Sequence, residues 1–198
     1  MTRRTNIKLR SARQTARRAC LLLWVLLGLA CGAGSAIAQG KAPPDYEVKA
    51  AFLVNFAKYV EWPDEAFAST NSPIVIASFG ESKLTEAVRK LVHGRSSSGH
   101  PIVFEVMAES DKAENYHVVF IPDDLRRRTP KILEKFQGKA VLTVGESERF
   151  LDDGGVINFV LRDRKVRLDI NLDAAKAARL KISSKLLGVA DVVKGKEN

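Results

Sequence analysis

Cysteine is nearly absent: the chain of 198 residues has two, Cys20 and Cys31, and both lie among the first 38. A mature form that loses that segment has no thiol, which excludes disulfides and thiol chemistry from it. Histidine is scarce too, and His93, His100 and His117 are scattered, which argues against an imidazole-based metal site. No G-x-S-x-G, S-x-x-K, H-E-x-x-H, G-x-G-x-x-G or phosphate-loop pattern occurs, so the common hydrolase, metalloprotease and nucleotide-binding signatures are missing. Long apolar runs are also missing. The longest, Ala19 to Cys31, has about 13 residues, whereas a membrane-spanning helix needs about 20.

That short run belongs to a recognisable arrangement. An Arg-rich start, the apolar stretch Leu21 to Leu29 and the small-residue exit Ala36-Ile37-Ala38 before Gln39 predict a secretory signal peptide over residues 1–38. Gly28-Leu29-Ala30-Cys31-Gly32 faintly resembles a lipoprotein cleavage box. Gly28 stands where such a box has Leu, so cleavage after Ala38 is the favoured reading.

Export also changes the charge argument. The segment holds seven of the 32 Lys and Arg and none of the acids, which leaves 25 bases against 23 acids. The basic balance of the whole chain is therefore a property of its leader, and nucleic-acid binding is not expected. The remaining 160 or so residues suffice for one domain with its own core, without disulfide staples.

After a short tether at residues 39–44, no repeat or linker interrupts the chain, and residues 45–195 read as a single α/β domain. Asp45 to Trp62 has the spacing of a helix ended by Pro63, with a wide apolar face for burial against a sheet. Val- and Ile-rich runs at Ile74 to Phe79, Ile102 to Val106, Val118 to Ile121 and Ala140 to Val144 read as parallel strands buried on both faces. Helical stretches at Ser82 to Val92 and Thr129 to Phe136 alternate with them. Val156 to Arg162 and Lys165 to Ile170 flank Asp163-Arg164, a two-residue turn, and predict an antiparallel hairpin. Helical pieces at Asp173 to Arg179 and Ser183 to Val193 complete a mixed, mostly parallel sheet with flanking helices.

Few residues invite a functional reading. Lys49 projects into the apolar arc of the first helix. It either snorkels to water or stands as a cation at a partly buried edge for an anionic ligand or a partner carboxylate. Arg162, Arg164 and Arg167 cluster on the hairpin with Lys165, interleaved with Asp163 and Asp169, as a solvated face or a docking surface. The carboxylate pairs Asp123-Asp124 and Asp152-Asp153 sit beside Pro122 and Gly154-Gly155, where turns need them. A hydrolase built on them is the weaker reading. A ligand carrier using the cleft at the carboxyl ends of the strands is a further alternative.

Tyr46-Glu47-Val48-Lys49-Ala50-Ala51-Phe52-Leu53-Val54-Asn55-Phe56, continuing to Tyr59-Val60-Glu61-Trp62-Pro63, resembles the opening signature of the YfiR family of periplasmic proteins. Phe150, Gly154-Gly155-Val156-Ile157, Arg167-Leu168-Asp169-Ile170-Asn171 and Leu180 through Leu187 resemble its closing half. The resemblance implies a small α/β periplasmic regulator, often dimeric, with no catalytic activity and no cofactor. In the family's best-known systems such a protein represses an inner-membrane diguanylate cyclase through its periplasmic sensor region, with release controlled by an outer-membrane lipoprotein. Other relatives serve membrane histidine kinases. Without mature cysteines, redox control of the kind a disulfide would give is not available to this chain.

Overall fold

A computed structural model describes residues 42–194; the leader, its exit at Ala38 and the Cys31 box lie outside the described residues. Helix α1 (Asp45–Tyr59) follows Pro44 and carries Asp45 and Glu47 in its first turn, where the helix dipole favours negative charge. The helix stops three residues before the predicted end. Val60 turns extended, and β1 (Val60–Glu61) pairs antiparallel with β9 (Lys181–Ile182), so a strand partner more than a hundred residues away overrides the helical spacing.

The remaining strands form one sheet. They are β2 (Ile74–Phe79), β3 (Ser96–Ser97), β4 (His100–Met107), β5 (Val118–Ile121), β6 (Leu142–Gly145), β7 (Ile157–Arg162), β8 (Lys165–Asn171) and β10 (Val192–Lys194), in spatial order β10-β8-β7-β6-β5-β2-β4-β3. Pairing is parallel from β4 through β2, β5 and β6 to β7, and antiparallel within the β7–β8 hairpin and at β3. This is the mixed, mostly parallel α/β fold that the sequence predicts. β4 opens at His100, two residues before the predicted start at Ile102.

The C-terminal region differs from expectation. In place of a helix running to Val193, α5 (Ser184–Leu187) is one turn capped by Ser183, and β10 then lies parallel to β8 from Val192↔Asp169 to Lys194↔Asn171. Backbone pairing to a preformed edge outcompetes continuation of a helix through Gly188.

Two apolar layers cover the sheet. On one face, α1, α2 (Lys83–Val92) and α4 (Leu172–Ala177) bury Leu53, Phe56, Val88 and Ala175 against Ile76, Phe120, Leu142 and Leu168. Phe159 ties helix to sheet, with its ring 6.2 Å from Phe56 and 6.1 Å from Phe120. On the other face, α3 (Thr129–Glu134) and the loop through Phe150 and Leu151 cover Ala77, Val119 and Ile121. No helix among the described residues is long and apolar enough to cross a membrane.

Candidate functional site

The four cations singled out by sequence lie around one corner of the sheet. Lys49 sits on the second turn of α1, and its Nζ donates to Glu146 Oε2 at 2.5 Å, immediately beyond the end of β6. Glu146 Oε1 also accepts from the Asp123 N–H at 3.2 Å, so the carboxylate gathers α1, β5 and β6. The pair borders a cavity of about 220 Å³ lined also by Asp45, Phe159, Leu161 and Val166. Lys49 thus has an internal anion partner, 97 positions away, that no local pattern could disclose.

The hairpin separates its two faces by strand alternation. Phe159, Leu161, Val166 and Leu168 take the α1 side, where Leu161 is 60% exposed next to the Lys49 cavity. Arg162, Lys165, Arg167 and Asp169 take the opposite side. There Arg162 holds Asp169 in a two-pronged contact, 2.9 Å for each bond, and reaches Asp191 at 3.2 Å. Asp169 and then Asp191 raise the guanidinium pKa further above its already high value. Arg167 lies 3.9 Å from Asp191. Arg164 occupies the turn itself, with φ of 58° beside Asp163 at 50°, the paired left-handed geometry of a two-residue hairpin. Lys49 and the arginines therefore flank the same hairpin from different faces, and only Arg164 is committed to no described ion pair. Asp191 was missed by sequence reasoning because it belonged to the expected C-terminal helix.

At the opposite end of the parallel strands, Phe67 stacks between the rings of His100 and His117, at 4.0 Å and 4.7 Å. His117 Nδ1 accepts from the Val75 N–H at 3.2 Å, its carbonyl accepts from Trp62 Nε1 at 3.2 Å, and Nε2 has no hydrogen-bond partner among the described residues. Burial lowers its pKa to about 4, with the Ala66 carbonyl opposing and His100 adding a smaller repulsion. Among the described residues, no group of three or more His, Cys, Asp or Glu is placed to hold a metal ion.

The model of the YfiR/HmsC-like family matches residues 46–191, from the start of α1 to Asp191. The chain belongs to the YfiR/HmsC-like family. Its Tyr46 to Pro63 segment, quoted above for the resemblance, is α1 with the β1 clasp, and Phe150 through Gly155 is the plug beneath the sheet. No curated protein matches the chain as a relative. Among solved structures it is similar to a conserved domain protein from Vibrio cholerae O1 biovar El Tor, at 12% identity and a TM-score of 0.47, over 61% of this chain and 54% of that one. It is also similar to the ABC domain from Streptococcus pneumonia solved in complex with L-Trp, at 10% identity and a TM-score of 0.49, over 76% of this chain and 60% of that one. The chain thus spans little more than half the length of either neighbour. The family is one of regulatory proteins, and this chain shares its domain over residues 46–191.

Proposed function

We propose that the mature chain, exported by cleavage after Ala38 and folded over residues 45–195, is a non-catalytic periplasmic regulator. It binds the periplasmic part of an inner-membrane diguanylate cyclase and holds cyclic-di-GMP output down. The observation that carries this reading is the family match across residues 46–191. The contact surface is the corner that joins Lys49, the exposed Leu161 and the hairpin cations Arg162, Arg164 and Arg167. An apolar centre beside charged groups is the make-up of a protein interface. A regulator of this kind needs no reactive group, because it shifts its client's equilibrium only by binding one state more tightly than the other. With no mature cysteine, release depends on a ligand or on a partner such as an outer-membrane lipoprotein, and the regulator acts as a homodimer.

Intracellular cyclic-di-GMP, measured in the source bacterium with the gene deleted and then restored, tests the proposal. A rise on deletion, reversed by the full chain and not by a version lacking residues 2–38, is the expected result. No change on deletion overturns the cyclase reading and points to a membrane histidine kinase or a small ligand.

A further inference from the structure

β4 is bonded unequally on its two sides. Toward β2 it pairs over six residues, from Ile74↔Ile102 to Phe79↔Met107. On its outer side only Pro101 and His100 meet β3, and the last bond runs from the Ile102 N–H to the Arg95 carbonyl at 2.9 Å. Backbone groups alternate in direction along a strand, so the N–H and C=O of Phe104 and Val106 point the same way as those of Ile102. No described residue answers them.

Exposed edges are usually blunted by charge, proline or brevity. Here Pro101 guards the start of the edge, and beyond it the one guard is the charge of Glu105, which repels an acidic strand and not a basic one; Val106 is 37% exposed. The edge runs into a crevice of about 570 Å³ at the carboxyl ends of β2, β4 and β5, where the order of connection in the sheet reverses and α/β folds commonly bind. Glu81, Glu109, Asp111 and Asp124 line it, together with Val106 and Met107, and no Lys or Arg among the described residues does. Glu105 adds an exposed carboxylate on the strand itself. Glu81 and Glu109 have Arg89 and Arg128 as partners, and Asp124 has no ion pair among the described residues.

We propose that the outer edge of β4 is a strand-addition site for an extended cationic segment of a protein partner. The segment's backbone bonds Phe104 and Val106, and its Lys or Arg side chains reach Glu105 and the crevice carboxylates. Main-chain bonds supply affinity and alternate side chains supply selectivity, as in other strand-addition complexes. A second copy of this chain is a poorer occupant. An antiparallel pairing centred on so short an edge sets Glu105 beside its own copy, and like charges placed opposite repel. In the sheet the β4 edge lies beyond β2 and β5 from β6, although the crevice and the Lys49 corner adjoin at the end of β5, where Asp124 lines one and Asp123 the other; the strand-addition site holds for any membrane client.

The test is a titration of the isotope-labelled mature chain with a capped hexapeptide of alternating valine and lysine, followed by amide chemical shifts and hydrogen exchange. The Phe104 and Val106 amides shift and their exchange slows, whereas a peptide with glutamate in place of lysine has no effect. Val106→Pro removes one outward N–H and leaves the β2 ladder intact, so it lowers affinity about ten-fold, the worth of one backbone hydrogen bond, at unchanged Tm. Should that variant fold poorly, Glu105→Lys provides the second measurement, and it weakens the lysine peptide. Slow exchange at Phe104 and Val106 before any peptide is added overturns the proposal. Equal binding of the acidic peptide overturns it too, as do equal shifts produced by lysine amide alone, which would leave a simple cation site.

Discussion

At the residue scale, the tightest constraint is the seat of Phe150. Its side chain is fully buried, and a Cβ added to Gly145 would stand 2.2 Å from the ring, one added to Gly155 only 2.1 Å. Gly155 has an ordinary φ, so its lack of a side chain serves the ring and not the turn, whereas Gly154 at φ 99° serves the turn. Gly155→Ala is expected to destabilise the domain by about 1–3 kcal/mol through overpacking, read as a lower urea midpoint at unchanged slope. A midpoint equal to wild type would show that the ring has room to move. Lys49→Met is a milder change: Glu146 keeps the Asp123 N–H and partial access to water, so the loss is about 1 kcal/mol or less. Under the proposed function the variant folds but binds the client less well. Undiminished affinity in a pull-down from membranes would remove Lys49 from the contact surface.

At the element scale, what was legible in the sequence is what local burial decides. Val118–Ile121 was read to its exact limits because all four side chains are buried, which leaves a short apolar run no alternative to a central strand. The ends of α1 and α5 were misread because the deciding partners are distant: β9 for Val60, β8 for Val192. The Lys49–Glu146 pair was invisible for the same reason, since neither residue stands in a pattern that names the other. The hairpin turn was legible from Asp163-Arg164, but its cost was not. Arg164 adopts a left-handed φ of 58° that an L side chain occupies at a penalty. Arg164→Gly should therefore raise stability by about 1 kcal/mol, measured as an increase in Tm. If the more stable variant also loses client binding, the arginine is kept for contact at the expense of the fold. A loss of stability instead would mean that the Arg164 side chain contributes to the hairpin more than its backbone strain removes.

At the scale of the whole molecule, the buried His117 links folding to the acidity of its surroundings. The ring joins the entry of β2 to that of β5 through the Val75 N–H and packs beneath Phe67 and Trp62, so protonating it inside the fold sets a charge where only His100 and the Ala66 carbonyl respond. Folded, it titrates at about 4, against 6.5 for the exposed side chain. Between those values the unfolded chain binds the extra proton, so acidification favours unfolding. The contribution of the neutral ring is complete above pH 6.5, falls as the pH drops, and levels out below about 4. The difference of pKa amounts to roughly 3 kcal/mol across that window. Carboxylates titrate in the lower half of the same window, so the decisive quantity is the difference between wild type and His117→Asn, whose side-chain oxygen can still accept from the Val75 N–H without titrating. Urea unfolding at intervals from pH 7.5 to 4 should show wild type losing stability faster than the variant, with most of the divergence above pH 4.5. Parallel curves would mean that another group carries the acid sensitivity, and that the Phe67 stack serves packing alone.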